Sequence, residues 1–70
     1  MKENLMQAIS DILEVDRRLI NERDTLNSFD TWDSLSFIRL VPLLEEISGM
    51  KINLSKIIFA KTIGDIINVF

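Results

Sequence analysis

With 70 residues, 47% of them hydrophobic, the chain has room for a single domain, 1–70, held together by packing. It has no cysteine, which excludes disulfides and thiolate metal sites, and no histidine, which removes the commonest general base and metal ligand. A formal net charge of −3 argues against nucleic-acid binding and favours a basic partner surface.

The charge is unevenly spread. Residues 1–35 hold eight acids and four bases, net −4, while residues 36–70 hold three acids and four bases, net +1. The chain opens on an amphipathic segment rather than the apolar run of a signal peptide, and no apolar stretch is long enough to span a membrane. A soluble cytoplasmic monomer is expected.

Leu5, Ile9, Ile12 and Leu13 recur at helical spacing. They predict a first helix from about Glu3 to Leu13, stopped near Val15-Asp16, with Gln7, Ser10, Asp11 and Glu14 off its apolar stripe. Residues 16–32 are polar and charged, with isolated apolar anchors at Leu19, Ile20, Leu26, Phe29 and Trp32. A connection this long is uncommon unless it is functional, and its anchors predict that it packs down on the helices. Asn27, Ser28, Asp30 and Thr31 favour turns through local side-chain to backbone bonds.

A second helix is predicted from Asp33-Ser34 to about Ser48, with Asp33 as N-cap and Gly49 as C-terminal stop. Leu40, Val41, Leu44 and Ile47 form one apolar stripe. Leu35, Ile38 and Pro42 form a second on an adjacent face, so this helix has more apolar surface than one core contact uses. Pro42 removes the backbone bond to Ile38, which predicts a kink or a bend. Further on, Ile52 is expected to be buried and Asn53 to cap a short turn over residues 54–58. Thr62 should cap a last helix, with Asp65 in the capping-box position. Ile63, Ile66, Ile67 and Phe70 give that helix its buried face. The fold class is therefore all-α, a bundle of three longer helices and one short helix, with a long loop between the first and second.

No pattern in the chain matches a metal loop, a phosphate-cradling glycine loop or a nucleophile with its base. Glu45 and Glu46 are adjacent, so on a helix they point about 100° apart and do not converge. An enzyme is not expected.

Asp-Ser at a helix start is ordinarily a cap. Here Asp33-Ser34-Leu35 follows a long loop, lies close to mid-chain, and opens an over-apolar helix that ends Leu44-Glu45-Glu46-Ile47. Together with the small acidic four-helix pattern, this resembles the acyl carrier protein family from about Leu5 to Phe70. The resemblance implies a four-helix acyl-carrier-like bundle in which Ser34 bears 4′-phosphopantetheine, derived from coenzyme A, with Asp33 and Leu35 beside it. It implies a non-catalytic carrier that shuttles acyl or aminoacyl groups, as thioesters on the arm, between enzymes of fatty-acid, polyketide or related specialised metabolism. It implies as partners a separate phosphopantetheinyl transferase and the loading and processing enzymes. Leu35, Ile38, Arg39, Pro42, Glu45 and Glu46 would face those partners. In related carriers a cleft between the second and third helices accepts short acyl chains.

The physics of the position agrees with this role. A phosphodiester at a helix start is an anion at the positive end of the helix dipole, and carriers of this kind leave the reactive chemistry to the cofactor. Arg39, Pro42, Trp32 and the mild net charge depart from the housekeeping fatty-acid carriers and fit a specialised stand-alone type. Trp32 is expected as a loop anchor on the bundle. The competing reading is a small helical protein-interaction module without a prosthetic group. A helix-turn-helix DNA binder would need a basic recognition helix, which the Glu45-Glu46 pair contradicts.

Overall fold

The computed structural model describes residues 2–70, leaving aside the side chain of Ser34. Four helices follow in order: α1 (Lys2–Leu13), α2 (Ser34–Ser48), α3 (Leu54–Ile57) and α4 (Ile63–Ile67). Two 3₁₀ turns, Arg17–Leu19 and Leu26–Ser28, punctuate the long connection between α1 and α2. The chain is thus all-α, as its periodicity predicts. Two of the helices are long and two short, rather than three and one. Beyond Ile67, Val69 and Phe70 donate to the carbonyls three residues back at 3.2 and 3.1 Å, so the final turn tightens into 3₁₀ winding.

The core forms where the apolar stripes meet. Leu5, Ile9 and Leu13 of α1 face Leu40 and Leu44 of α2 and Ile63 and Ile66 of α4, all at most 1% exposed. Ile57 is the buried residue of α3, and Ile20 and Leu26 are buried from the connection. Two expectations are corrected. Ser10, placed off the α1 stripe by its polarity, is buried, because its hydroxyl donates to the Gln7 carbonyl at 2.7 Å and carries no unmet bond inward. Leu19, expected as an anchor, is 73% exposed. Ile20 takes the inward position instead, and the neighbouring residue is left to solvent.

The end of α1 is set by Glu14, which adopts a left-handed φ of 58°. Its amide donates to Asp11 and that of Val15 to Ser10, at 3.2 and 3.1 Å, the paired bonds of a Schellman ending. Glycine takes this conformation without a Cβ clash. Glu14→Gly is therefore expected to stabilise the fold by about 0.5–1 kcal/mol after the extra entropy of the unfolded chain is counted. Urea denaturation of the two proteins measures it, and no gain would mean that Glu14 is unstrained there. The end of α2 already uses glycine, with Gly49 at φ 71°.

The α2 helix continues through Pro42 from Ser34 to Ser48. Pro42 is exposed, as is Ile38 one turn back. The carbonyl that the proline leaves unpaired therefore lies on the solvent side, where water can bond to it.

The long connection is held by backbone bonds to the start of α4. Leu26 donates to Lys61 at 2.8 Å, Ile63 to Asp24 at 3.1 Å, and Gly64 to Glu22 at 2.8 Å, around an isolated antiparallel bridge between Thr25 and Thr62. Side chains shape its turns. Asp16 accepts the Arg18 amide, and Asn21 and Asp24 bond across a turn. Arg17 grips Glu3 of α1 with two bonds, at 2.6 and 2.9 Å.

Candidate functional site

Ser34 is the first residue of α2, and the local sequence explains why the helix starts there. Asp33 is extended, at φ −151° and ψ −175°, and its carboxylate accepts the Ser36 amide at 2.8 Å. That amide bond, chiefly, holds the Asp33 carboxyl below its usual range, with further help from the Leu35 amide and the charge of Arg39. Asp33 is therefore an anion at neutral pH. It already occupies the Ser36 amide, so a second anion at Ser34 would be seated by the helix dipole more than by a ring of free amides. The expected exposure of the Ser34 hydroxyl lies outside the described residues. Its neighbours Asp33 and Leu35 are both exposed.

A two-step linkage fixes this helix start to the rest of the bundle. The Ser36 hydroxyl donates to the Thr31 carbonyl at 2.6 Å, and the Thr31 hydroxyl donates to the Leu13 carbonyl at 2.7 Å. Leu13 is the last residue of α1. Ser36 is buried and Thr31 half-buried, so both bonds are sheltered from water. Nothing in residue type or spacing announced this pair.

Beside the helix start lies a cleft of about 460 Å³ between the long connection, the first turns of α2, and α3. Trp32, Phe37, Ile38, Ile57, Ile58 and Ala60 line it, with Asn27 and Asp33 as its polar groups. Trp32 meets Phe37 edge-on, with ring centroids 6.2 Å apart at 80°. It is half-buried and packed on the core, the expected loop anchor, and it is also a wall of the cleft. Of the cleft residues, Asn27, Phe37, Ile57, Ile58 and Ala60 are not among the site candidates that the sequence offers. The last three share one signal, an apolar segment just after the Asn53 cap.

The remaining candidates separate into two groups. Ile38 and Asp33 stand on the cleft, and Leu35, one turn before Ile38, is 62% exposed. Pro42, Glu45 and Glu46 line a second, shallower groove at the far end of α2, together with Gly49, Met50 and Lys51. Arg39 and Glu46 are exposed. Glu45 is half-buried and has a bond inside the fold, since its carboxylate accepts the Ile52 amide at 2.8 Å. Among the described residues, no three acids or other ligating side chains gather to hold a metal ion.

The arrangement fits a phosphopantetheine group at Ser34. Ser34 opens a capped helix between exposed neighbours, and an apolar cleft begins at the adjacent Asp33. Such a site suits a tethered group reached by other proteins, which is the class of a carrier domain. Residues 3–70 match the family described as phosphopantetheine attachment site, and the chain belongs to that family. Domains of this family bear the group and are typically not catalysts. No curated protein matches the chain.

Proposed function

We propose that the protein is a carrier whose Ser34 bears 4′-phosphopantetheine and that it conveys acyl or aminoacyl groups between biosynthetic enzymes. The observation that supports this most directly is the position of Ser34 as first residue of a capped helix, one residue from the mouth of an apolar cleft. The bound arm would supply a terminal thiol on which the cargo rides as a thioester. The protein's own residues supply place and electrostatics. Asp33 fixes the helix start, the dipole of α2 favours the phosphodiester, and Leu35 gives the modifying enzyme an apolar contact beside the serine. The serine acts as nucleophile toward coenzyme A only within the phosphopantetheinyl transferase, which brings base and magnesium. The cleft is of a size that accepts a short cargo or the end of the arm.

Arg39, Pro42 and Trp32 favour a specialised stand-alone carrier over a housekeeping one. We also take it to be cytoplasmic and monomeric. Coexpression with a broad-specificity phosphopantetheinyl transferase is expected to add one arm, read by intact mass and located on Ser34 by peptide fragmentation. Ser34→Ala should prevent the addition while leaving the fold intact. An unmodified protein after exposure to several such transferases would overturn the reading in favour of an interaction module without a prosthetic group.

A further inference from the structure

We propose that Thr31 and Ser36 are positioning residues for the loading of Ser34, their two hydroxyls holding the first turn of α2 where a modifying enzyme must find it. This rests on the carrier reading, because it concerns the rate at which Ser34 receives its arm.

The start of α2 has little else to place it. Among the described residues, Ser36 is the only buried one between Leu26 and Leu40. Leu40 is the first apolar residue of α2 in the core, six residues past Ser34 and about 9 Å further along the helix. Of the apolar residues before it, Leu35 and Ile38 are exposed, and Phe37 is half-buried with its ring edge-on to Trp32. Contacts of this kind favour burial without fixing a direction.

The inward position of this turn thus holds a serine where an apolar side chain would give more burial. What the serine supplies is direction. Its hydroxyl donates to the Thr31 carbonyl at 2.6 Å, and the Thr31 hydroxyl donates to the Leu13 carbonyl at 2.7 Å. Leu13 ends α1, where the last carbonyls have no intrahelical partner, so its oxygen is open to this use. A hydrogen bond weakens steeply as its geometry slips, and the two together hold the turn to one distance and one orientation from α1.

Loading depends on that placement. The Ser34 oxygen bonds to the pantetheine-bearing phosphorus of coenzyme A, the pyrophosphate bond breaks, the bisphosphorylated adenosine leaves, and the serine proton passes to the transferase's base. Reacting atoms must meet at about 3–3.5 Å, and a misplacement of about 1 Å can cost about 100-fold in rate. The exposed residues of α2 remain available for docking whether or not the turn is held. Release of the turn therefore lowers kcat and leaves KM nearly unchanged. The two bonds are also links in series. Breaking either one frees the turn, so breaking both adds little.

The test follows transfer of the arm from coenzyme A, by a broad-specificity phosphopantetheinyl transferase, to the full chain and to Thr31→Val, Ser36→Ala and the double variant. Each single variant is expected to lose about ten-fold in kcat with KM within about two-fold, and the double variant to fall within about two-fold of the slower single. Thr31→Ser keeps the hydroxyl and should restore the rate. Amide exchange on the chain without an arm gives a second readout. The amides of Ser36 and Phe37, which bond to Asp33 at 2.8 and 3.1 Å, should accelerate by a larger factor in the variants than amides at the centre of α1. Unchanged kcat, losses that multiply in the double variant, or equal acceleration throughout the core would each overturn the proposal. A wild-type chain that accepts no arm would overturn the carrier reading and the role in loading with it, a result distinct from a loaded wild type whose variants load equally fast.

Discussion

Leu44→Ala is expected to cost about 2–5 kcal/mol of folding free energy, while Leu35→Ala on the same helix changes it by less than about 0.5 kcal/mol. Leu44 is 0% exposed and sits in the core where α2 meets α1, whereas Leu35 is 62% exposed. Truncating Leu44 removes buried methyl groups and leaves a void that the close-packed core fills only in part. Domains have stabilities of roughly 0.05–0.15 kcal/mol per residue, so the loss takes a large part of what a chain this small has. Its thermal midpoint should fall by at least about 10 °C. Calorimetry or thermal circular dichroism on both variants gives the comparison. Similar midpoints would mean that the second apolar stripe, which carries Leu35, is also core.

Gly64→Ala is the second large effect, and its sign runs against the usual rule. In an ordinary helix interior the replacement stabilises by about 0.5–1 kcal/mol. Gly64 lies in the first turn of α4 with no unusual φ, so propensity alone predicts a gain. A Cβ there would come 3.0 Å from the Glu22 carbonyl oxygen and 3.4 Å from the Glu22 Cβ. That carbonyl accepts the amide of Gly64 itself at 2.8 Å, so neither backbone can withdraw without losing the bond. Overpacking of this kind costs about 1–3 kcal/mol and should outweigh the propensity. Urea denaturation with an unchanged m-value would read it as a loss of native stability. A stabilised variant would show that the loop stands off from α4 in solution.

The features that the sequence made legible are local ones. Asp33, Asn53 and the Thr62–Asp65 box each cap the helix their side chains suggest, at 2.8, 3.0 and 3.1 Å. Capping needs only residues two or three apart, so it survives whatever the rest of the chain does. The α2 stripes were legible for the same reason. Leu40 and Leu44 are buried, while Leu35 and Ile38 are exposed. Long-range placement was not legible. Leu19 and Ile20 are equally apolar neighbours, and only packing against α1 decides which is buried. Ile57, Ile58 and Phe59 are likewise three apolar residues in a row, of which Ile57 alone enters the core. The walls of the cleft depend on that choice. A candidate attachment residue, Ser34, follows from motif and helix pattern, but the space beside it does not, because that space is made by three separated segments.

The linkage from Ser36 through Thr31 to Leu13 has an evolutionary consequence. It registers the start of α2 directly on the end of α1, bypassing residues 14–30. Within that bypassed stretch, the ties to α4 run from backbone to backbone and so are indifferent to side-chain identity. Apart from Ile20 and Leu26 in the core, Val15 and Phe29 packed against it, and the side chains that shape its turns or reach α1, the exposed surface of the stretch can drift while the start of α2 keeps its place. Changing what the carrier meets and keeping where it holds its cargo are separable tasks in this molecule.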